Sequence, residues 1–138
     1  LALMGAGLNG QSFAFLGYIP AKTDERRQAL KSIEKHSASA HQTKIMIETP
    51  YRNDSLFADI LNVCQGSTEL CVAADITMPD AYIMTKTVAE WKRYMADKES
   101  IIGKRLVFFL FWRIRTTLET CAHASCFWPM ADRDVFPY

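Results

Sequence analysis

Short runs of β-branched and aromatic residues alternate along this chain with stretches whose apolar residues recur at helical spacing, and this alternation constrains the fold most. The strand-like runs cover residues 12–19, 43–49, 69–76, 81–87 and 105–112. The helical stretches cover residues 23–35, 53–66 and 88–95. Strands that alternate with helices of about 10–15 residues predict an α/β domain in which helices pack on a sheet.

The connection between the third and fourth strand-like runs decides the kind of sheet. It contains Met78-Pro79-Asp80 and is only a few residues long, which is typical of a hairpin between antiparallel strands. We therefore predict an α/β fold with a mixed, roughly five-stranded sheet flanked by helices. Residues 1–10 are predicted to be a helix end and linker, residues 11–112 the α/β unit, and residues 113–138 an atypical tail without clear periodicity.

The helix ends are predicted from capping patterns. Thr23 resembles an N-cap, and the helix that it begins is expected to run to about Lys35. The residues from His36 to His41 are then expected to form a loop. Asn53 or Asp54 is expected to cap the next helix.

The segment Gly5-Ala6-Gly7-Leu8-Asn9-Gly10 matches the G-x-G-x-x-G pattern of dinucleotide-binding folds. In those folds a strand precedes the glycines and a helix follows them, so that the pyrophosphate lies at the helix N-terminus. Here a helix-like segment precedes the glycines and a strand-like run follows. We therefore interpret this segment as the end of a helix with flexible glycines.

Composition excludes several classes of protein. The 138 residues are 49% hydrophobic with a formal net charge of +1, so disorder and a strong basic field are both excluded. The longest apolar run, residues 106–112, is far shorter than the ~20 residues of a membrane-spanning helix. Cys64 and Cys71 lie in apolar contexts typical of buried free thiols, which favours the cytoplasm.

Two clusters invite a binding hypothesis. The pattern Cys121-x-His123-x-x-Cys126 offers three zinc ligands but no second pair at a normal structural spacing, so we predict no metal site. Basic residues also fall partly on two helix faces, which are either solvated surfaces or contacts for RNA phosphates. These residues are Lys22, Arg26, Arg27 and Lys31 on one helix, and Lys92, Arg93 and Lys98 on the other.

The segment Glu48-Thr49-Pro50-Tyr51-Arg52 follows a strand and precedes a helix. Ligands of open α/β sheets bind at the carboxyl ends of strands, which favours a site here. The alternative is structural: Pro50 ends the strand, Tyr51 packs, and Arg52 pairs with Glu48 or Asp54. The residues alone leave both interpretations open.

Several linked motifs carry a resemblance to a known family. In chain order they are Asn9-Gly10-Gln11-Ser12-Phe13-Ala14-Phe15 with Gly17-Tyr18-Ile19-Pro20, Arg26-Arg27 with Leu30, Ile47-Glu48-Thr49-Pro50-Tyr51-Arg52, and Ala73-Ala74-Asp75-Ile76-Thr77. Their order and spacing resemble the tetrapyrrole-methylase superfamily, most closely its branch of ribosomal RNA small subunit methyltransferase I. The resemblance covers about residues 1–112.

The resemblance implies a two-lobed enzyme that binds S-adenosylmethionine between its lobes and methylates ribosomal RNA. The methyl acceptor that it implies is a ribose 2′-hydroxyl. This chain would be the C-terminal lobe, inactive alone because it lacks the N-terminal lobe. By position, the implied cofactor contacts are Glu48, Thr49, Asp75, Ile76 and Thr77, and the implied substrate wall is Pro50, Tyr51 and Arg52. Glu48 and Asp75 are the implied candidates for a catalytic base. The implied partners are the small ribosomal subunit and a second copy in a homodimer.

The chain departs from that family at three places. Tyr51 stands where many members have His, and Ala74-Asp75 stands where many have Arg-Glu. The residues from Arg113 onward match no part of the family pattern. Two other functions stay open: methylation of a tetrapyrrole-like small molecule, and a non-catalytic α/β binding module.

Overall fold

A computed structural model of the chain describes residues 1–98 and 107–113. The helices are α1 (Ala2–Ala6), α2 (Thr23–Ala40), α3 (Asn53–Val63) and α4 (Val88–Met95). The strands are β1 (Phe13–Gly17), β2 (Thr43–Glu48), β3 (Glu69–Ala74), β4 (Tyr82–Thr87) and β5 (Val107–Trp112). Each strand lies inside a run that the sequence predicts.

The five strands form one sheet in the order β1-β2-β5-β3-β4. β1 and β2 are parallel, whereas β5 is antiparallel to both of its neighbours and β4 is antiparallel to β3. The prediction of a mixed, five-stranded α/β sheet with a hairpin between β3 and β4 is confirmed. Because β1, β2 and β3 point the same way, their carboxyl ends meet at one edge of the sheet.

One face of the sheet is covered by α2, α3 and α4, and this side holds the main core. Its fully buried members include Leu30, Met46, Leu56, Ile60, Leu70, Val72, Trp91, Phe109 and Phe111. The indole N–H of Trp91 donates to the carbonyl of Leu70 at 2.8 Å, which satisfies the polar group of this large buried side chain. Phe57 packs edge-on against Trp91, with ring centroids 5.4 Å apart.

The opposite face of the sheet has much less cover. The short helix α1 packs there on a small cluster of Ala2, Ala6, Ile45, Cys71, Ala73 and Leu110. The hydroxyl of Thr85 donates to the carbonyl of Ala6 at 2.6 Å and ties the helix to β4. Gly7 ends α1 with φ 68°, a left-handed conformation that favours glycine, so the predicted helix end at these glycines is confirmed.

The end of α2 differs from the prediction. The segment from His36 was expected to be a loop, but the helix continues to Ala40 because Ser37 and Ala38 are buried. The hydroxyl of Ser37 also donates to the carbonyl of Gln42 at 2.8 Å. His41 then ends the helix in a left-handed conformation. Tertiary packing thus extends a helix whose last turns are polar and small.

Other element ends differ by a few residues. Lys22, not Thr23, is the N-cap of α2, and Arg52 precedes α3, in both cases without a side-chain capping bond. The third strand was expected to reach Ile76 but ends at Ala74, because Asp75 takes a left-handed conformation with φ 48°. Such a residue cannot continue a strand.

Some predicted features fall outside the described residues. They are the start of the fifth strand at Arg105 and Leu106, most of the tail, and the cluster Cys121, His123 and Cys126. Within residues 1–98 and 107–113, Cys64 and Cys71 are buried free thiols, as expected. Every helix in this part of the chain is too short or too polar to cross a membrane.

Candidate functional site

The carboxyl edge of the sheet brings together two of the segments that the sequence singled out. Val107 of β5 pairs with Glu48 on one side and with Ala74 on the other. Since neighbouring strands lie about 4.8 Å apart, the ends of β2 and β3 are about 10 Å apart. The residues after each strand, Thr49 and Asp75, therefore flank the same part of this edge.

A cavity of approximately 760 Å³ opens on the sheet face that α1 covers. It is lined by Leu1, Ala2, Leu3, Met4, Phe13, Phe15, Ile45, Asp75, Ile76, Thr77, Met78 and Phe108. Its floor is the apolar sheet surface, and the polar side chains of its lining belong to Asp75 and Thr77. Ligand sites of this size are commonly apolar with a few polar groups that fix the ligand's orientation.

The turn that follows β3 forms one wall of this cavity. The N–H of Met78 donates to the carbonyl of Asp75 at 2.8 Å, which closes a tight turn around Ile76 and Thr77. Asp75 and Ile76 are half-buried and Thr77 is exposed. All three predicted cofactor contacts in this segment are therefore placed together at an open apolar cavity.

The segment that follows β2 is arranged differently. Glu48 is fully buried on the helix-covered face, on which Met46 also lies. One carboxylate oxygen, Oε1, accepts from the backbone N–H of Thr49 at 2.7 Å and pairs with Arg52 at 3.1 Å. The other, Oε2, has no hydrogen-bond partner among the described residues. The pairing of Arg52 with Glu48 agrees with the structural interpretation that the sequence left open.

The remaining substrate-wall residues face solvent to different degrees. Tyr51 is 85% exposed, so it does not pack as that alternative expected. Arg52 is half-buried, and its backbone N–H donates to the carbonyl of Thr49 at 2.9 Å. None of the residues from Glu48 to Arg52 lines the cavity. The two predicted segments therefore lie at the same edge of the sheet, but only the segment after β3 lines the cavity.

Most residues that line the cavity were not among the predicted site residues. Phe13 and Phe15 are 52% and 61% exposed although they belong to a strand, and Met4 and Phe108 complete this side of the lining. A signal for the first pair exists in the sequence. Residues two apart in a strand share a face, so both phenylalanines had to lie on one side of β1.

The site offers specific chemistry. A planar apolar group fits against phenylalanine rings, while the Asp75 carboxylate and the Thr77 hydroxyl can bind hydroxyl or amino groups. Within the part of the chain that the structure describes, no three His, Cys, Asp or Glu side chains are grouped to hold a metal ion.

Comparison with known proteins identifies relatives. The ribosomal RNA small subunit methyltransferase I of Vibrio cholerae is 32% identical over 99 residues, which cover 72% of this chain and 33% of that protein. The Pseudomonas aeruginosa protein of the same name is 28% identical over 113 residues, or 81% of this chain and 39% of that protein. The matched part therefore spans only about a third of each relative's length.

The crystal structure of the methyltransferase CobJ is 15% identical with a TM-score of 0.48, and the match covers 79% of this chain and 45% of that chain. No protein-family model matches the sequence.

Proposed function

This chain belongs to the ribosomal RNA small subunit methyltransferase I family, and we propose that it is the C-terminal lobe of an S-adenosylmethionine-dependent enzyme that methylates ribosomal RNA. The observation that carries the proposal is the cavity at the carboxyl edge of the sheet, which gathers Asp75, Ile76 and Thr77 in a chain with these relatives. A preceding N-terminal lobe would supply the rest of the cofactor site.

The residues of the cavity fit S-adenosylmethionine. The apolar floor suits the adenine ring, and the Asp75 carboxylate suits a ribose hydroxyl or the amino group. If bound, the cofactor would supply the methyl group of its sulfonium to an acceptor oxygen, and the sulfonium would become a neutral thioether. Positioning of the two reactants contributes much of such a rate enhancement.

The two carboxylates have different roles in this proposal. Oε1 of Glu48 is engaged by Thr49 and Arg52, and its side chain is fully buried, so Glu48 holds the loop after β2 in place. Asp75 lies at the open cavity, where it can bind the cofactor or accept a proton from a ribose hydroxyl. Pro50, Tyr51 and Arg52 then form the neighbouring substrate wall.

Methyl transfer from labelled S-adenosylmethionine to small ribosomal subunits tests the proposal, using the whole polypeptide that carries this chain. Asp75→Asn should lower kcat/KM by about 100-fold if Asp75 acts as a base, or raise KM for the cofactor if it only binds. Asp24→Asn, at an exposed position in the first turn of α2, is the control and should leave both constants unchanged. Methylation of a corrinoid and not of RNA would overturn the proposal that ribosomal RNA is the substrate.

Calorimetry on the 138-residue chain tests the two-lobe arrangement. Since one side of the cofactor site is proposed to come from elsewhere, the chain alone should bind S-adenosylmethionine weakly or not at all. Micromolar affinity would contradict this. Ribosomal substrates would also put the enzyme in the cytoplasm, and a homodimer is an expectation that sedimentation of the whole polypeptide would check.

A further inference from the structure

Two exposed aromatic rings lie on neighbouring loops at the carboxyl edge of the sheet. Tyr18 follows β1 and Tyr51 follows β2, and the two side chains belong to residues that are 62% and 85% exposed. β1 and β2 are parallel neighbours, with Gly17 paired to Met46, so both loops leave the sheet side by side. The reach of the connecting residues limits the distance between the two tyrosine Cα atoms to about 26 Å. One ligand of a few nucleotides can therefore contact both rings.

The two loops are anchored on both sides of the rings. Each loop leads into a helix, and Nη2 of Arg26 in the first turn of α2 donates to the hydroxyl of Ser55 in the first turn of α3 at 2.9 Å. In the first loop, Ile19 is buried in the main core. In the second loop, Arg52 pairs with the buried Glu48 at 3.1 Å. Both rings are thus exposed although the backbone beside them is held in place.

The basic side chains at the starts of α2 and α3 are paired with carboxylates in the described chain. The pairs are Lys22 with Glu25, Arg26 with Asp59, Arg27 with Asp59, and Arg52 with Glu48. Asp24 and Asp54 also lie in the first turns of these helices. This surface therefore offers a phosphate group no excess of positive charge. It offers aromatic rings, on which nucleic-acid bases stack without any need for charge.

The aromatic loops adjoin the candidate site. Phe15 lines the cavity and precedes Tyr18 by three residues, so their Cα atoms are at most about 11 Å apart. Tyr51 belongs to the proposed substrate wall, and Thr49 before it flanks the same part of the sheet edge as Asp75. An acceptor nucleotide at the cavity therefore has its neighbours in the strand within reach of the two tyrosines.

We propose that Tyr18 and Tyr51 form a stacking surface for unpaired bases of the RNA substrate. The choice of RNA as the ligand rests on the proposed function. Proteins commonly recognise unpaired RNA by stacking its bases on aromatic side chains. Because every base has an aromatic face, such a surface holds the strand in position and does not select its sequence.

Fluorescence anisotropy with a labelled single-stranded RNA of about 12 nucleotides tests this surface on the 138-residue chain, without any cofactor. The variant with Tyr18→Leu and Tyr51→Leu should bind about 30-fold more weakly, since each stacked base contributes at least about fivefold. The slope of log affinity against log salt should stay unchanged, because no phosphate contact is removed. Circular dichroism checks that the variant is folded.

The matched control is Tyr18→Phe with Tyr51→Phe, which keeps both rings and should bind within about threefold of the unchanged chain. An abasic strand with the same number of phosphates should bind the unchanged chain and the leucine variant equally weakly. No RNA binding by the unchanged chain, or equal affinity of the leucine variant, would overturn the proposal. So would an equal loss in the phenylalanine variant, which would indicate hydrogen bonds from the hydroxyl groups.

Methyl transfer to small ribosomal subunits is measured separately with the whole polypeptide. Ring-dependent RNA binding without methyl transfer would overturn the proposed function and leave the stacking surface supported. Methyl transfer together with unchanged RNA affinity in the leucine variant would overturn the stacking surface alone.

Discussion

Asp59 is a buried carboxylate held between two arginines, and it links α3 to α2. Its Oδ2 accepts from Nε of Arg26 at 2.6 Å and its Oδ1 from Nε of Arg27 at 3.0 Å. Arg26 is only 3% exposed. Removing one member of a buried ion pair leaves an uncompensated charge, so we expect Asp59→Asn to lower the free energy of unfolding by about 3 kcal/mol or more.

Urea unfolding measures this effect, and Glu25→Gln is the control. Glu25 pairs with Lys22 at 3.6 Å in solvent, and exposed pairs contribute about 0–1 kcal/mol. Similar losses in both variants would show that the Asp59 pair is no more important than a surface pair.

The buried thiol of Cys64 should make the free energy of unfolding depend on pH in the alkaline range. Burial is the main cause that raises the pKa of its thiol to about 12, with the charge of Glu34 as the next cause. A group whose pKa is raised on folding stabilises the native state below its unfolded pKa, and this stabilisation is lost as pH rises toward the folded value. The affected range therefore lies between about pH 9 and pH 12.

From pH 7.5 to pH 10 we expect Cys64 to account for a loss of about 1 kcal/mol in the free energy of unfolding. Urea unfolding of the unchanged chain and of Cys64→Ala at both pH values measures this loss. The variant is less stable at neutral pH but should lose less on going to pH 10. An identical loss in the two proteins would contradict this assignment.

The segment around Glu48 shows how far sequence could predict the site. Its pattern predicted polar groups at a strand end, and they lie there. The sequence could not predict on which side of the sheet the residues at the ends of β2 and β3 would lie. That depends on the left-handed φ of 48° at Asp75 and on the bond of Glu48 with Arg52, both of which arise from the folded chain.

At the scale of elements, the starts of α2 and α4 have similar sequence patterns but differ in side-chain capping. Thr87 accepts from the N–H of Glu90 at 3.2 Å, and the Glu90 side chain accepts from the N–H of Thr87, which completes a capping box at α4. Thr23 has a comparable position in sequence but makes no capping bond. We expect Thr87→Ala to cost about 1 kcal/mol and Thr23→Ala to cost much less.

Thermal or urea unfolding of the two variants checks this difference, and Thr23→Ala serves as the matched control. The sequence alone favoured Thr23 because Thr23-Asp24-Glu25-Arg26 resembles a capping box, with Arg26 in place of the usual Glu. Equal costs would mean that the side chain of Thr87 does not cap α4.

Strand and helix order were predictable because periodicity records which face of each element is buried. The extent of α2 was not, since residues 36–40 lack a strong apolar repeat and are helical through contacts made elsewhere. Ser37, for example, accepts from the backbone N–H of Arg113 in a distant part of the chain. Local patterns cannot contain such information.

At the scale of the whole molecule, the two faces of the sheet are unequal. Three helices cover one face, whereas the described chain places only α1 on the other. Phe13, Phe15 and Met4 remain largely exposed there. Contiguous exposed apolar surface of this kind commonly marks a binding or interaction site. The curated relatives are about three times as long as the part of them that matches this chain.

The exposed phenylalanines should act as a binding surface and not as part of the folding core. The variant with Phe13→Ser and Phe15→Ser should lower the fluorescence of the apolar dye ANS by more than half. Its free energy of unfolding should change by only about 1 kcal/mol, because each ring is more than half exposed and so loses little burial. Tyr18→Ser with Tyr51→Ser is the control, since these exposed aromatic residues lie outside the cavity. If that control lowered the dye signal equally, general surface aromaticity would explain dye binding; if the phenylalanine variant unfolded, the sheet face would belong to the core.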